Sequence, residues 1–165
     1  MGTSRVGNAL GSALFLVVAP GVVAGLVPWW LTGWEPGATR PLLQVIGALL
    51  IAAGAVVLLD AFARFVFEGL GTPAPVAPPE RLVVGGLYRY VRNPMYLAVG
   101  AIIVGQALLL GRPILLFYAA AFAAVVFAFV RLYEEPTLAG EFGAEYEDYR
   151  RAVPGWWPRL RPWRR

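Results

Sequence analysis

The sequence predicts an all-α integral membrane protein: four transmembrane helices, the last two forming a tight hairpin, under a cytoplasmic cap that ends in an interfacial helix. Three observations predict it. First, apolar residues make up 59% of the 165 residues and charged residues 15%, where soluble domains run at about 45–50% and about 25%. Second, four apolar runs approach the ~20 residues a helix needs to cross ~30 Å of hydrocarbon. Third, twelve of the fourteen basic residues fall on one side of those runs. The length suits a single membrane domain, residues 1–165, with little left for a soluble module.

The first run spans about residues 6–31 and contains Pro20 and Pro28, which predict a kink. It is too long for the apolar region of a signal peptide, and Pro28-Trp29-Trp30 is a poor cleavage site, so it is read as a helix. The second run spans about 42–66. The third spans about 94–111 and opens at Asn93-Pro94, where Asn suits the N-cap and Pro the first helical position. The fourth spans about 113–130 and is joined to the third by Gly111-Arg112-Pro113 alone. Gly47, Gly54, Gly100 and Gly105 in the second and third runs predict close helix packing.

Arg5, the middle loop 67–93 with its flanks, and the segment 131–165 hold the twelve arginines, while Arg40 and Arg112 hold the opposite side. By the positive-inside rule both termini and the middle loop are cytoplasmic, and the expected location is the bacterial inner (cytoplasmic) membrane. Trp29, Trp30 and Trp34 mark one interface and Trp156, Trp157 and Trp163 the other. The net charge of +4 is accounted for by arginines facing anionic lipid and requires no nucleic acid.

The chain has no Cys, His or Lys, and its only serines are Ser4 and Ser12. Zinc sites of Cys and His, thiolate nucleophiles, Schiff-base lysines and histidine bases are thereby excluded, and no metal is expected. Chemistry falls to Asp, Glu, Arg, Tyr, Asn, the backbone or a bound cofactor.

Three polar clusters lie on the cytoplasmic side. Asp60, Arg64 and Glu68 recur at i, i+4 spacing on one face of the second run. They read as an ion-pair stripe, or as a contact to substrate through Asp60 or Arg64. The segment 69–79 after them is a Pro-rich spacer, or alternatively a lip over a site. The second cluster is Gly85-Gly86-Leu87-Tyr88-Arg89-Tyr90-Val91-Arg92-Asn93-Pro94-Met95-Tyr96, arginines and tyrosines leading into a helix N-terminus, where the dipole favours an anion. The third is Arg131 with the adjacent Glu134 and Glu135, carboxylates that need a nearby cation, either an arginine or a bound ligand. Beyond it Phe142, Tyr146, Tyr149 and Val153 recur at helical spacing opposite Glu145, Glu147, Asp148 and Arg151, the pattern of an interfacial helix held against lipid by the closing tryptophans and arginines. Because the third and fourth runs form a hairpin, Tyr96 and Tyr133 return to the same side, and the second and third clusters become neighbours.

Gly86 to Tyr96 resembles the motif of the isoprenylcysteine carboxyl methyltransferase and phospholipid methyltransferase families. Glu134-Glu135, Phe142-Gly143, Glu145-Tyr146, Tyr149 and Val153-Pro154 resemble their C-terminal signature. The resemblance covers about residues 82–158 and implies a membrane enzyme using S-adenosyl-L-methionine. It implies cofactor binding by Tyr88, Arg92, Asn93, Pro94, Tyr96, Glu134 and Glu135. Arg92, Glu135 and Arg151 become the catalytic candidates, and Asp60, Arg64, Tyr146, Tyr149 and Arg150 the substrate-binding candidates. The family's usual His is Asn93 here, which hydrogen-bonds but does not titrate near neutral pH. A sulfonium methyl is already activated, so its transfer is an in-line displacement served by alignment and desolvation. A lipophilic acceptor would enter sideways from the bilayer between helices. A carboxylate or thiolate acceptor needs no base, whereas an amine must lose a proton, to Glu134, Glu135 or Asp60. Two other readings stand beside this one, an NADPH-dependent membrane reductase of related architecture and a non-catalytic membrane scaffold.

Overall fold

The computed structural model describes residues 14, 18–67 and 81–164. Glu68, the Pro-rich segment 69–79 and most of the start of the first run lie outside the described residues. Among the described residues every regular element is a helix. Helix α1 covers Val18–Thr32, α2 Pro41–Phe67, α3 Pro94–Leu110 and α4 Ile114–Phe129. A short 3₁₀ turn, Gly86–Arg89, precedes α3. After α4 a wide π turn, Val130–Glu134, leads into α5, Glu135–Phe142, and α6, Ala144–Ala152. The strap, residues 153–164, has no regular structure. Two stretches are long and apolar enough to cross a membrane, Pro41–Arg64 and Ile114–Phe142, and α1 and α3 are shorter apolar helices.

The main helix pair is α2 with α3, and glycines set its spacing. A Cβ on Gly47 would lie 2.5 Å from the Gly105 carbonyl oxygen, and one on Gly105 would lie 2.7 Å from that of Gly47. A Cβ on Gly54 would come within 2.8 Å of the Ala98 oxygen, whereas Gly100 would meet nothing closer than Phe122 at 3.9 Å. Three of the four glycines singled out by the sequence therefore lie at close helix approaches. Leu58 and Phe62 of α2, Ala98, Val99, Ile103 and Ala107 of α3 and Leu115 of α4 form the core between them.

Both wide turns precede a proline by the same spacing. The π turn of α1, Val22–Leu26, lies before Pro28, and Val130–Glu134 lies before Pro136. A proline inside a helix has no N–H and its ring crowds the carbonyl one turn back, and a wide turn relieves that crowding. In α1 the carbonyls left without the Pro28 donor are bonded from other helices. The Tyr118 hydroxyl donates to Val23 O at 2.6 Å and Gln106 Nε2 to Ala24 O at 2.6 Å. Neighbouring helices thus supply what proline removes, as apolar surroundings demand. Gln106 also accepts from the Trp34 indole N–H at 3.1 Å. Where the sequence predicted a kink, the structure shows a wide turn before Pro28.

Two expectations require correction. Asn93 occupies the N-cap position of α3 but makes no side-chain cap; its Nδ2 donates to the Gly155 carbonyl at 3.1 Å. The apolar face of α6 is turned into protein and not laid on lipid. Tyr146, Tyr149 and Val153 are buried, packed with Leu82, Val84, Leu138, Phe142 and Trp163 as a small core of their own. The segment 82–84 supplies the apolar partner that the sequence pattern had assigned to lipid.

Candidate active site

Arg92 is the hub of the cap. It sits two residues before α3, and its guanidinium reaches three other segments. Nη1 donates to Glu135 Oε1 at 2.7 Å and to the Tyr146 hydroxyl at 3.0 Å, and Nε donates to Val153 O at 2.9 Å. Its backbone N–H donates to Pro154 O at 2.9 Å and that of Asn93 to Gly155 O at 3.3 Å. Further along the strap, Arg159 N–H bonds Tyr90 O at 3.0 Å, Trp163 N–H bonds Arg89 O at 2.9 Å, and Arg89 Nε bonds Trp163 O at 2.7 Å. The strap is therefore laid along residues 89–93.

The paired glutamates have different surroundings. Glu135 is buried and ringed by cations, Arg92 at 2.7 Å, Arg131 at 3.2 Å and Arg150 at 3.9 Å. Glu134 is bonded instead by the neutral Tyr96 hydroxyl at 2.8 Å. Adjacent helical positions project in different directions, and the two carboxylates have different partners, one the arginine hub and one the first turn of α3.

Tyr88 is buried between α2 and α3, packed with Ala61, Val83 and Met95. Its phenol is held well above the ordinary range by burial, then by Tyr149, Glu134, Tyr96 and Asp60. The Tyr149 hydroxyl donates to Tyr88 O at 2.6 Å, and burial raises its pKa too. Burial also raises that of Tyr146, with Arg92 opposing. These phenols stay neutral; that of Tyr149 donates to Tyr88 O and that of Tyr146 accepts from Arg92.

An apolar groove of about 460 Å³ runs from this site along α3 and α4. Leu97, Gly100, Phe122 and Phe127 line it, Trp156 of the strap forms part of its wall, and Tyr96 supplies a polar group. Trp156 packs on Phe127 with ring centroids 5.9 Å apart. The arrangement joins a carboxylate–phenol pair to an apolar trough, which can place a charged head and a hydrocarbon tail side by side.

Most of the residues predicted from sequence converge here. Arg92, Glu135, Tyr146 and Arg150 meet directly and Tyr96 meets Glu134 beside them, with Tyr88 and Tyr149 behind, while Asn93 and Pro94 shape the start of α3. Asp60 and Arg64 form their own ion pair at 3.6 Å. Arg64 packs over Gly86, whose positive φ of 54° suits glycine and whose added Cβ would lie 2.6 Å from Arg64 Nε. Arg151 is exposed on α6, away from the cations that meet Glu135. Sequence reasoning missed the strap as a partner of residues 89–93. Its tryptophans were read as an interfacial belt, and backbone pairing leaves no side-chain signature.

Residues 42–145 match the family described as phospholipid methyltransferase. The chain belongs to this family. The match takes in α2, the 3₁₀ turn, α3, α4 and both glutamates. No curated protein and no solved structure matches the chain. Membership of a methyltransferase family favours a methyltransferase over the reductase and scaffold readings, and its membrane association agrees with the two long apolar helices.

Proposed function

We propose that this phospholipid methyltransferase family member transfers a methyl group from S-adenosyl-L-methionine to a lipid-like or small hydrophobic acceptor at the cytoplasmic membrane face. The observation that carries the reading is the Tyr96–Glu134 pair, at 2.8 Å, beside an apolar groove of about 460 Å³. The donor set fits the cofactor. Glu134 offers a carboxylate to a cationic group, and Arg131, with 58% of its side chain exposed, offers a guanidinium to a carboxylate. Bound there, S-adenosyl-L-methionine would supply a methyl group already activated on a positively charged sulfur. Tyr96 orients Glu134, Arg92 and Glu135 fix the cap above it, and the groove excludes water and takes the apolar part of the acceptor.

Four spans with both termini cytoplasmic, in a bacterial inner membrane, complete the proposal. The arginine bias supports that orientation, and the exposed Leu42, Val45, Leu49 and Val56 on α2 and Phe117 and Val125 on α4 support lipid contact. Calorimetric titration of S-adenosyl-L-methionine, and separately NADPH, into detergent-purified protein tests the cofactor. Saturable binding of the first with no response to the second is expected, and binding of NADPH alone would overturn the proposal. Labelled methyl transfer to a panel of lipids, prenylated thiol acids and small thiols then identifies the acceptor.

A further inference from the structure

The strap presents a surface that the site itself does not use. Trp157 is 81% exposed and Leu160 99% exposed, among the most open large apolar side chains of the chain. They lie in an irregular segment with Arg161 and Arg164, both exposed. Six arginines and no acidic residue come after Asp148. The strap lies against the end of α4, where the neighbouring Trp156 packs on Phe127, which under the proposed orientation is the cytoplasmic end of that helix. Exposed apolar side chains interspersed with unopposed arginines are complementary to one partner chemistry, the anionic surface of a phospholipid bilayer.

The same segment holds the arginine hub. Val153 O and Pro154 O accept from Arg92, Gly155 O accepts from Asn93, and Arg159 and Trp163 bond the backbone of Tyr90 and Arg89. Trp157 and Leu160 lie between these anchor points, so whatever holds them holds the strap against residues 89–93.

We propose that the strap is a lipid-responsive clamp: Trp157 and Leu160 insert into the cytoplasmic leaflet, Arg161 and Arg164 engage anionic phospholipid headgroups, and this docking steadies the backbone that sets Arg92 and Asn93. It rests on the membrane placement proposed above and not on methyl transfer, so its test needs no turnover.

The full chain is reconstituted in nanodiscs of phosphatidylcholine alone or with phosphatidylglycerol added, and amide hydrogen exchange is measured at Arg92, Asn93, Arg159 and Trp163, with Ile103 in the core of α3 as reference. Anionic lipid should slow exchange at the four strap-linked amides by about fivefold for each arginine engaged, leave Ile103 unchanged, and lose its effect as salt is raised. The double substitution Arg161→Gln and Arg164→Gln should abolish the lipid difference while Ile103 stays protected. The double substitution Arg161→Lys and Arg164→Lys should retain it. Leu160→Ser should weaken protection in both lipids. Equal exchange at the four amides in both nanodiscs, or a full lipid response in the Gln variant, overturns the proposal. Failure of S-adenosyl-L-methionine to bind would overturn the proposed function and leave this result standing.

Discussion

Replacing Glu135 with Ala tests whether the arginine hub is held by that carboxylate. The Arg92 guanidinium is 14% exposed and the Glu135 carboxylate 9% exposed, and they meet at 2.7 Å. Removing one partner of a buried pair costs about 3–5 kcal/mol, because the other charge is left without a counterion. Arg131 is 58% exposed at 3.2 Å and Arg150 is 40% exposed at 3.9 Å, so each adds about 0–1 kcal/mol at most. Arg92 keeps its bonds to Val153 O and Tyr146, which places the loss near the lower end, about 3 kcal/mol. The loss should appear locally, as faster amide exchange in α6 and the strap with the α2–α3 core unchanged. Glu135→Gln keeps an acceptor for Nη1 and should lose less. A double-mutant cycle with Arg92→Ala should return a coupling of about 3 kcal/mol. Additivity of the two substitutions within about 0.5 kcal/mol would refute the reasoning, since it would mean that Arg92 is placed by the strap alone.

The same geometry yields four further outcomes. Tyr96→Phe removes a hydrogen bond to a carboxylate worth about 1.5–3 kcal/mol, so S-adenosyl-L-methionine affinity measured by calorimetry should fall about 10- to 100-fold without loss of helicity. Gly47→Leu places side-chain atoms where a Cβ alone would lie 2.5 Å from the Gly105 oxygen, and thermal melting in detergent should drop by more than the ~1–3 kcal/mol of ordinary overpacking, because a backbone cannot repack. Pro136→Ala restores an N–H that lets the π turn tighten, and should leave stability intact while reducing cofactor binding, read by calorimetry beside thermal melting. The buried Tyr88 and Tyr149 have pKa values raised above the ordinary 10.0. The folded state therefore keeps its protons where the unfolded chain loses them. Stability should be level below pH 10 and fall as pH rises above it, and Tyr149→Phe should lessen that slope in pH-dependent unfolding.

The apolar helices were legible because hydropathy reports transfer from water, which does not depend on what the helix touches. The convergence of Arg92, Tyr96, Glu134 and Glu135 was legible because a hairpin as short as Gly111-Arg112-Pro113 returns both ends to one side. What each carboxylate would pair with was not legible. Arg131, Arg92 and a ligand were equivalent choices for either glutamate until the turn geometry was known. The face of α6 was misassigned for a related reason. An amphipathic pattern states that Tyr146, Tyr149 and Val153 must leave water, and lipid and the segment 82–84 satisfy that requirement equally. The role of Asn93 was hidden because its Nδ2 bonds a carbonyl 62 residues away, a partner that no local rule supplies.

Two adjacent carboxylates should repel, but successive residues of a helix project about 100° apart and do not face each other. The turn before Pro136 keeps this divergence. It delivers Glu135 into a nest of guanidiniums, where its charge is structural, and leaves Glu134 with a neutral phenol. One glutamate thus holds Arg92, and under the proposed function the other is the acceptor for a cationic ligand. The same device in α1, before Pro28, places no charge at all, and its freed carbonyls are bonded by Tyr118 and Gln106. The difference between the two turns lies in the residues that lead into each proline. Leu26-Val27-Pro28 makes a bend that neighbouring helices must repair, whereas Glu134-Glu135-Pro136 makes a site.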